Sequence, residues 1–430
     1  MQEPKRAARL LMLWSAAVAA GVIGALAIYG FRLLIEAAEW LFTRQFGGLV
    51  HAAQALAPWQ RVLVPAAGGV LAGAVLQAGA RWTGAAPHVD YIDAARLGDA
   101  RLNDRTTATR TLSALLSVGS GSSIGREGPM VQLSAWLASL IARALPLDEA
   151  ERAAVLVCGI AAGIASAYHA PVAGVVFILE LALGFLARPL AAPVLVAAVA
   201  GSALVHHLVG AERLFPMPPV DLPGHALWFA LATGVGFGLI GLGLLKLLDL
   251  ARRGFHRIGP LWLRLGLGGL IVGLVSAAVP QVWGNGYSVM SELLARGDLW
   301  RLVALVLAAK LLATAASAGS GAIGGVFTPT LFVGAAGGYL AGELVAMVLG
   351  AGMADPRAFA VVGMAAVLAA VTRAPLMSIV MVLEMTGQYH LNLSIMLASA
   401  VAYGISTRFD VTPLYGNPIE GRDAGARRQV

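Results

Sequence analysis

The 430-residue chain is poor in charge: only 12% of its residues are Asp, Glu, Lys or Arg, where soluble domains run at about 25%. So little charge cannot cover a water-facing surface, which excludes an ordinary cytosolic enzyme. Intrinsic disorder is excluded as well, because disordered chains are polar and charge-rich. The one cysteine, Cys158, rules out an intrachain disulfide and a thiolate metal site. No Gly-Lys-Ser/Thr closes a glycine-rich stretch, so there is no phosphate-binding loop. No His or acid cluster with metal-ligand spacing supports the remote alternative of an intramembrane enzyme. What the chain has in quantity is hydrophobic residues, at 58%, and glycine, at 52. In a soluble protein a net charge of +7 would suggest nucleic acid. In one this apolar it places arginines on cytoplasmic membrane faces, and no nucleic-acid partner is expected.

A membrane helix needs about 20 apolar residues. Candidates are Leu10–Leu34, Arg61–Ala80, Pro189–Val209, His225–Leu248, Leu265–Val282, Leu302–Ser317, Phe327–Leu349 and Leu391–Ile405. Between them lie shorter runs broken by Gly and Pro: Thr111–Ser123, Met130–Leu145, Ala153–Ser166, Pro171–Phe185, Ala358–Val371 and Pro375–Met385. In lipid every backbone N–H and C=O must find a partner, so broken helices survive only where protein surrounds them. The expectation is an all-α polytopic membrane protein with broken, re-entrant helices. Leu10–Leu34 is longer than the apolar core of a cleavable leader and is expected to stay. Lys5, Arg6 and Arg9 before it place the N-terminus in the cytoplasm, and Arg422, Arg427 and Arg428 do the same for the tail.

Two stretches resemble each other. Gly119-Ser-Gly-Ser-Ser-Ile-Gly-Arg-Glu-Gly-Pro129 is matched by Gly319-Ser-Gly-Ala-Ile-Gly-Gly-Val-Phe-Thr-Pro329, 200 residues on at both ends. A second pair follows in the same order: His169-Ala-Pro171 with Phe177-Ile-Leu-Glu180, and Arg373-Ala-Pro375 with Met381-Val-Leu-Glu384, each 204 residues apart. The chain therefore divides into a cytoplasmic N-terminus (1–9), a first membrane repeat (10–210), a connecting segment containing a membrane helix (211–261), a second repeat (262–416) and a tail (417–430). Interrupted hydrophobic segments in matching positions of two repeats point to a substrate site at their interface near the midplane.

The glycines of Gly119–Pro129 and Gly319–Pro329 permit tight turns, and proline suits the first turn of a helix. Each stretch reads as a turn launching a helix, at Pro129 and at Pro329. A helix N-terminus carries roughly half a positive charge and several unpaired N–H donors. Two of them converging in an apolar interior bind a small anion, weakly enough to release it. Glu127 lies beside that site. An ionisable group at such depth is costly and usually functional. A carboxylate can take the anion's place and withdraw when displaced or protonated, which makes Glu127 a candidate gate and proton carrier; the competing reading is a structural partner for Arg126. Lys310 is expected to snorkel or to pair, His206 and His207 to lie at an interface, and Asp90, Asp93, Asp99 and Asp104 to form a solvated loop face.

Gly125-Arg-Glu-Gly-Pro129, Gly325-Val-Phe-Thr-Pro329, Arg373-Ala-Pro-Leu376 with Leu383-Glu-Met-Thr386, and Pro413-Leu-Tyr415, in this order, resemble the CLC family of chloride channels and chloride–proton antiporters, in the prokaryotic form without C-terminal nucleotide-binding domains. The resemblance runs from about Leu10 to Tyr415. It implies two inverted repeats, a homodimer with one pore per subunit in a bacterial inner membrane, chloride as the bound substrate and no cofactor. It implies that Glu127 is the gate and that the backbone N–H groups of Val326 and Phe327 and the hydroxyl of Tyr415 contact the anion, with Gly125 and Arg126 in the same turn.

Two departures stand out. The family's Gly-Ser-Gly-x-Pro anion turn corresponds here to Thr83-Gly-Ala-Ala-Pro87, where Gly84 or Ala85 replaces the serine. This loses a hydroxyl ligand, and with it the usual grounds for chloride preference. The inner glutamate of family antiporters, which follows Phe-Ile-x-Glu, is Leu181 here. Either the protein is a passive channel, or protons reach Glu127 by water, or Glu180 substitutes. Glu180 and its mate Glu384 are otherwise expected to be structural carboxylates that cap neighbouring helices.

Overall fold

The computed structural model describes residues 3–83, 89–97, 100–183, 190–220, 226–349 and 355–416. The described residues hold seventeen α-helices and no named strand. In the first half they are α1 (Glu3–Thr43), α2 (Leu49–Ala55), α3 (Pro58–Thr83), α4 (Tyr91–Leu97), α5 (Asp104–Gly119), α6 (Glu127–Ala144), α7 (Glu149–Tyr168), α8 (Pro171–Phe177) and α9 (Ala191–Val209). The second half contributes α10 (Ala226–His256), α11 (Leu261–Ala278), α12 (Tyr287–Arg296), α13 (Trp300–Ser320), α14 (Phe327–Leu349), α15 (Pro356–Thr372), α16 (Pro375–Thr386) and α17 (Asn392–Ser406). Among the described residues, eight helices are long and apolar enough to cross a membrane.

The repeat is physical. α7 and α15 are apolar on every face, which suits only a buried helix, and Ala154–Tyr168 and Ala358–Thr372 are buried without a break. Both end on a non-glycine residue in the left-handed region, His169 at φ 54° and Arg373 at φ 55°. The next helix then opens on Pro171 or Pro375, whose missing N–H costs nothing there. That geometry is what the His169-Ala-Pro and Arg373-Ala-Pro matches encode. α3 and α11 pack through glycines: an added Cβ would stand 2.3 Å from the Leu265 carbonyl oxygen at Gly69 and 2.0 Å from that of Pro65 at Gly269. Backbones in such contact exclude any larger side chain.

α10 packs on α15 and α17 as α1 packs on α7 and α9. In that packing it is the counterpart of α1. The chain runs in opposite directions through the paired Gly125 and Gly325, and the halves form an inverted repeat.

Candidate anion site at the meeting of the two repeats

The turn before α6 and the turn before α14 are built alike. Gly121 and Gly321 take φ +99° and +91°, a region costly for any residue with a Cβ. The N–H groups of Ser122 and Ala322 return to the carbonyls of Ser117 and Ser317 at 3.0 and 3.2 Å. The turns also bond to each other. Gly125 N–H donates to the Gly325 oxygen at 2.7 Å, and Gly325 N–H to the Gly125 oxygen at 2.8 Å. Ser123 adds bonds to Ser317 Oγ and Thr314 Oγ1. Two helix starts are thereby clamped face to face. The helices open two residues earlier than expected, at Glu127 and Phe327, leaving Pro129 and Pro329 third in their helices; the first turn tolerates proline because its N–H groups have no intrahelical acceptor.

Two cavities flank the clamp. One of about 260 Å³ is lined by Glu127, Gln132, Val326, Phe327, Tyr91 and Tyr415, among others. The other, about 780 Å³, carries Arg126, Asn285, Glu36 and Glu39 in its wall. Glu127 is buried between them. Its carboxyl bonds not to Arg126, which faces the larger cavity, but to Asn285, whose Nδ2 donates to Oε1 at 2.6 Å. Oε2 is buried without a hydrogen-bond partner.

Val326 and Phe327 stand at the start of α14, where backbone N–H groups remain for a ligand. Gly125 does not serve in this way, since its N–H is spent on Gly325. Gly84 and Ala85 lie outside the described residues, as do Asp99 and the tail. Tyr415 is positioned by Arg96, which donates to its carbonyl at 2.8 Å and to that of Leu181 at 3.0 and 3.1 Å, and by Leu414 N–H on the Val371 oxygen. Its ring meets Phe177 edge-on at 5.5 Å. Leu181 is buried.

The carboxylates of the second repeated motif face each other's helices. Glu180 accepts from Leu376 and Met377 N–H at 3.2 and 2.6 Å, at the start of α16. Glu384 accepts from Val172 and Ala173 N–H at 3.1 and 2.7 Å, at the start of α8. Each places negative charge where a helix dipole is positive.

Two expectations are corrected. Lys310 neither snorkels nor pairs with an acid: it is buried, and its ammonium donates to the carbonyls of Val282 and Gly284 at 2.8 and 2.6 Å. Asp90 departs from the solvated loop face expected of it: half-buried, it lines the smaller cavity and caps α4 through Ile92 and Asp93 N–H. Asn285, Gln132 and Tyr91 were not singled out from the sequence. Single polar residues far from any repeat match give no signal until the chain folds.

A family model described as voltage gated chloride channel matches residues 68–407. The chain belongs to the CLC family. It is 47% identical over 389 residues to a putative chloride channel protein ClcB-like of Ralstonia nicotianae, covering 89% of this chain and 91% of that one. It is 41% identical over 394 residues to the voltage-gated ClC-type chloride channel ClcB of Citrobacter koseri, covering 90% and 94%. Among solved structures, a slow cyanobacterial Cl−/H+ antiporter aligns at a TM-score of 0.84 with 21% identity, over 97% of this chain and 99% of that one. A CLC-type fluoride/proton antiporter aligns at 0.75 with 22% identity, over 94% and 97%. At such identities these two likenesses concern the fold. CLC membership makes the chain an integral membrane protein that transports anions, and not an enzyme.

Proposed function

We propose that the protein conducts small anions, chloride foremost, past a gate formed by Glu127. The observation that supports this best is the Gly125–Gly325 clamp, which aims two helix N-termini at the cavity holding Glu127. In the apolar interior their partial charges attract an anion without the deep trap a full positive charge would create. Val326 and Phe327 N–H and the Tyr415 hydroxyl serve as donors, and the Glu127 carboxylate competes for the same place. Homodimeric assembly, a bacterial inner membrane and cytoplasmic termini complete the proposal. The test is chloride efflux from proteoliposomes at several pH values. Glu127→Gln raises the flux or removes its pH dependence; unchanged flux with an unchanged pH response removes Glu127 from the mechanism.

Proton-coupled exchange is the second reading. Leu181 cannot relay a proton, but Asp90 puts a carboxylate in the wall of the smaller cavity. A chloride gradient that drives protons uphill in the same vesicles decides for exchange, and its absence decides for the channel.

A further inference from the structure

The gate reading leaves open what holds the Glu127 side chain in place. We infer that Asn285 is its latch: the amide bonds the carboxylate at the wall between the two cavities and so stabilises the blocked pathway. The inference rests on the reading of Glu127 as gate. The Nδ2–Oε1 bond of 2.6 Å joins a residue lining the larger cavity to one lining the smaller. Which end of the amide faces Glu127 is fixed, because Asn285 Oδ1 accepts from Tyr287 N–H at 3.1 Å. That leaves the NH2 group for the carboxylate.

The latch stands on a braced loop. Gly284 and Gly286, at φ +69° and +89°, set Asn285 at the tip of a tight turn. Lys310 reaches from α13 to bind the carbonyls of Val282 and Gly284. Trp283 is buried, and an added Cβ at Gly121 would meet its ring at 2.4 Å. The mobile partner is therefore the glutamate side chain, and the asparagine is the fixed post. An amide donor also reads the charge of the gate, since a hydrogen bond to a carboxylate is roughly twice as strong as one to a neutral carboxyl oxygen. Protonation of Glu127 loosens the latch without any change at Asn285.

A hydrogen bond to a charged group shifts a two-state equilibrium by about ten- to a hundredfold. The experiment is a double-mutant cycle on chloride efflux from proteoliposomes, using the wild type, Asn285→Ala, Glu127→Ala and the double variant. Expected is a several-fold rise in flux for Asn285→Ala, and no effect of the same change when Glu127 is already alanine. A merely structural Asn285 changes flux equally in both backgrounds, and that result overturns the latch. So does wild-type flux for Asn285→Ala while Glu127→Ala alters it, an outcome that leaves the gate intact. If Glu127→Ala behaves as wild type, the gate reading itself fails and takes the latch with it. Should Asn285→Ala not fold, Asn285→Ser keeps an oxygen for Tyr287 N–H but is too short to reach Glu127, and the same outcomes apply.

Discussion

Alanine at position 125 perturbs the clamp at its centre. The added Cβ would lie 2.4 Å from Glu127 Oε2 and 2.7 Å from the Gly325 oxygen, where carbon and oxygen in contact need well over 3 Å. The carboxylate can turn away. The Gly325 oxygen cannot, because it is backbone and accepts the Gly125 N–H at 2.7 Å. Relief must open the pair of backbone bonds between the turns, at about 1 kcal/mol each, and it expels the Glu127 carboxylate from its place. Gly125→Ala is expected to lose about 2 kcal/mol of stability and to gate abnormally, with flux and pH response moving toward those of Glu127→Gln. Gly325→Ala is the control: its Cβ meets nothing nearer than Gly128 N at 3.2 Å, and its cost stays below about 1 kcal/mol. Thermal unfolding in detergent, followed by tryptophan fluorescence, measures the first quantity and chloride efflux the second. A Gly125→Ala protein that matches the wild type in both, or a Gly325→Ala protein equally damaged, rules out the close contact at Gly125 as what holds the clamp and the carboxylate in place.

Glu180→Ala and Glu384→Ala each strip two N–H groups of their acceptor at a helix start and are expected to cost about 2 kcal/mol apiece; melting curves showing one loss without the other contradict the reciprocal caps. Tyr415→Phe keeps the ring against Phe177 but removes the hydroxyl, and chloride affinity by calorimetry is expected to fall about tenfold; wild-type affinity removes the hydroxyl from the site. Asp148 forms a capping box with Glu151 at the start of α7, and both acids bind Arg9. Asp148→Ala is expected to cost about 1 kcal/mol and Arg9→Ala less, because that ion pair is exposed; equal losses would assign the stability to the ion pair instead.

The membrane class, the helices and the repeat were legible because they depend on hydropathy, on proline and on glycine, whose physical effects are local. Spacing at 200 residues paired the turns that bond through Gly125 and Gly325. It could have shown more: Gly69 and Gly73 of α3 recur as Gly269 and Gly273 of α11, and these four glycines form the α3–α11 contact. No motif links α10 to α1, and only its packing on α15 and α17 reveals the likeness. Side-chain partners were the least legible. Arg126 adjoins Glu127 in sequence, yet the helix start turns the two toward different cavities and brings in Asn285, 158 positions away. Lys310 had no acid within reach to suggest its role, because its partners are carbonyls exposed by a turn.

The proposed mechanism turns on the start of α14, facing the start of α6, holding the anion. Bromide is an anomalous scatterer and a close analogue of chloride, so diffraction from bromide-soaked crystals locates the bound anion. A peak is expected within hydrogen-bond distance of Val326 and Phe327 N–H, and a stronger one in Glu127→Gln. Bromide bound elsewhere in the protein, with none at these two amides in either form, would contradict it.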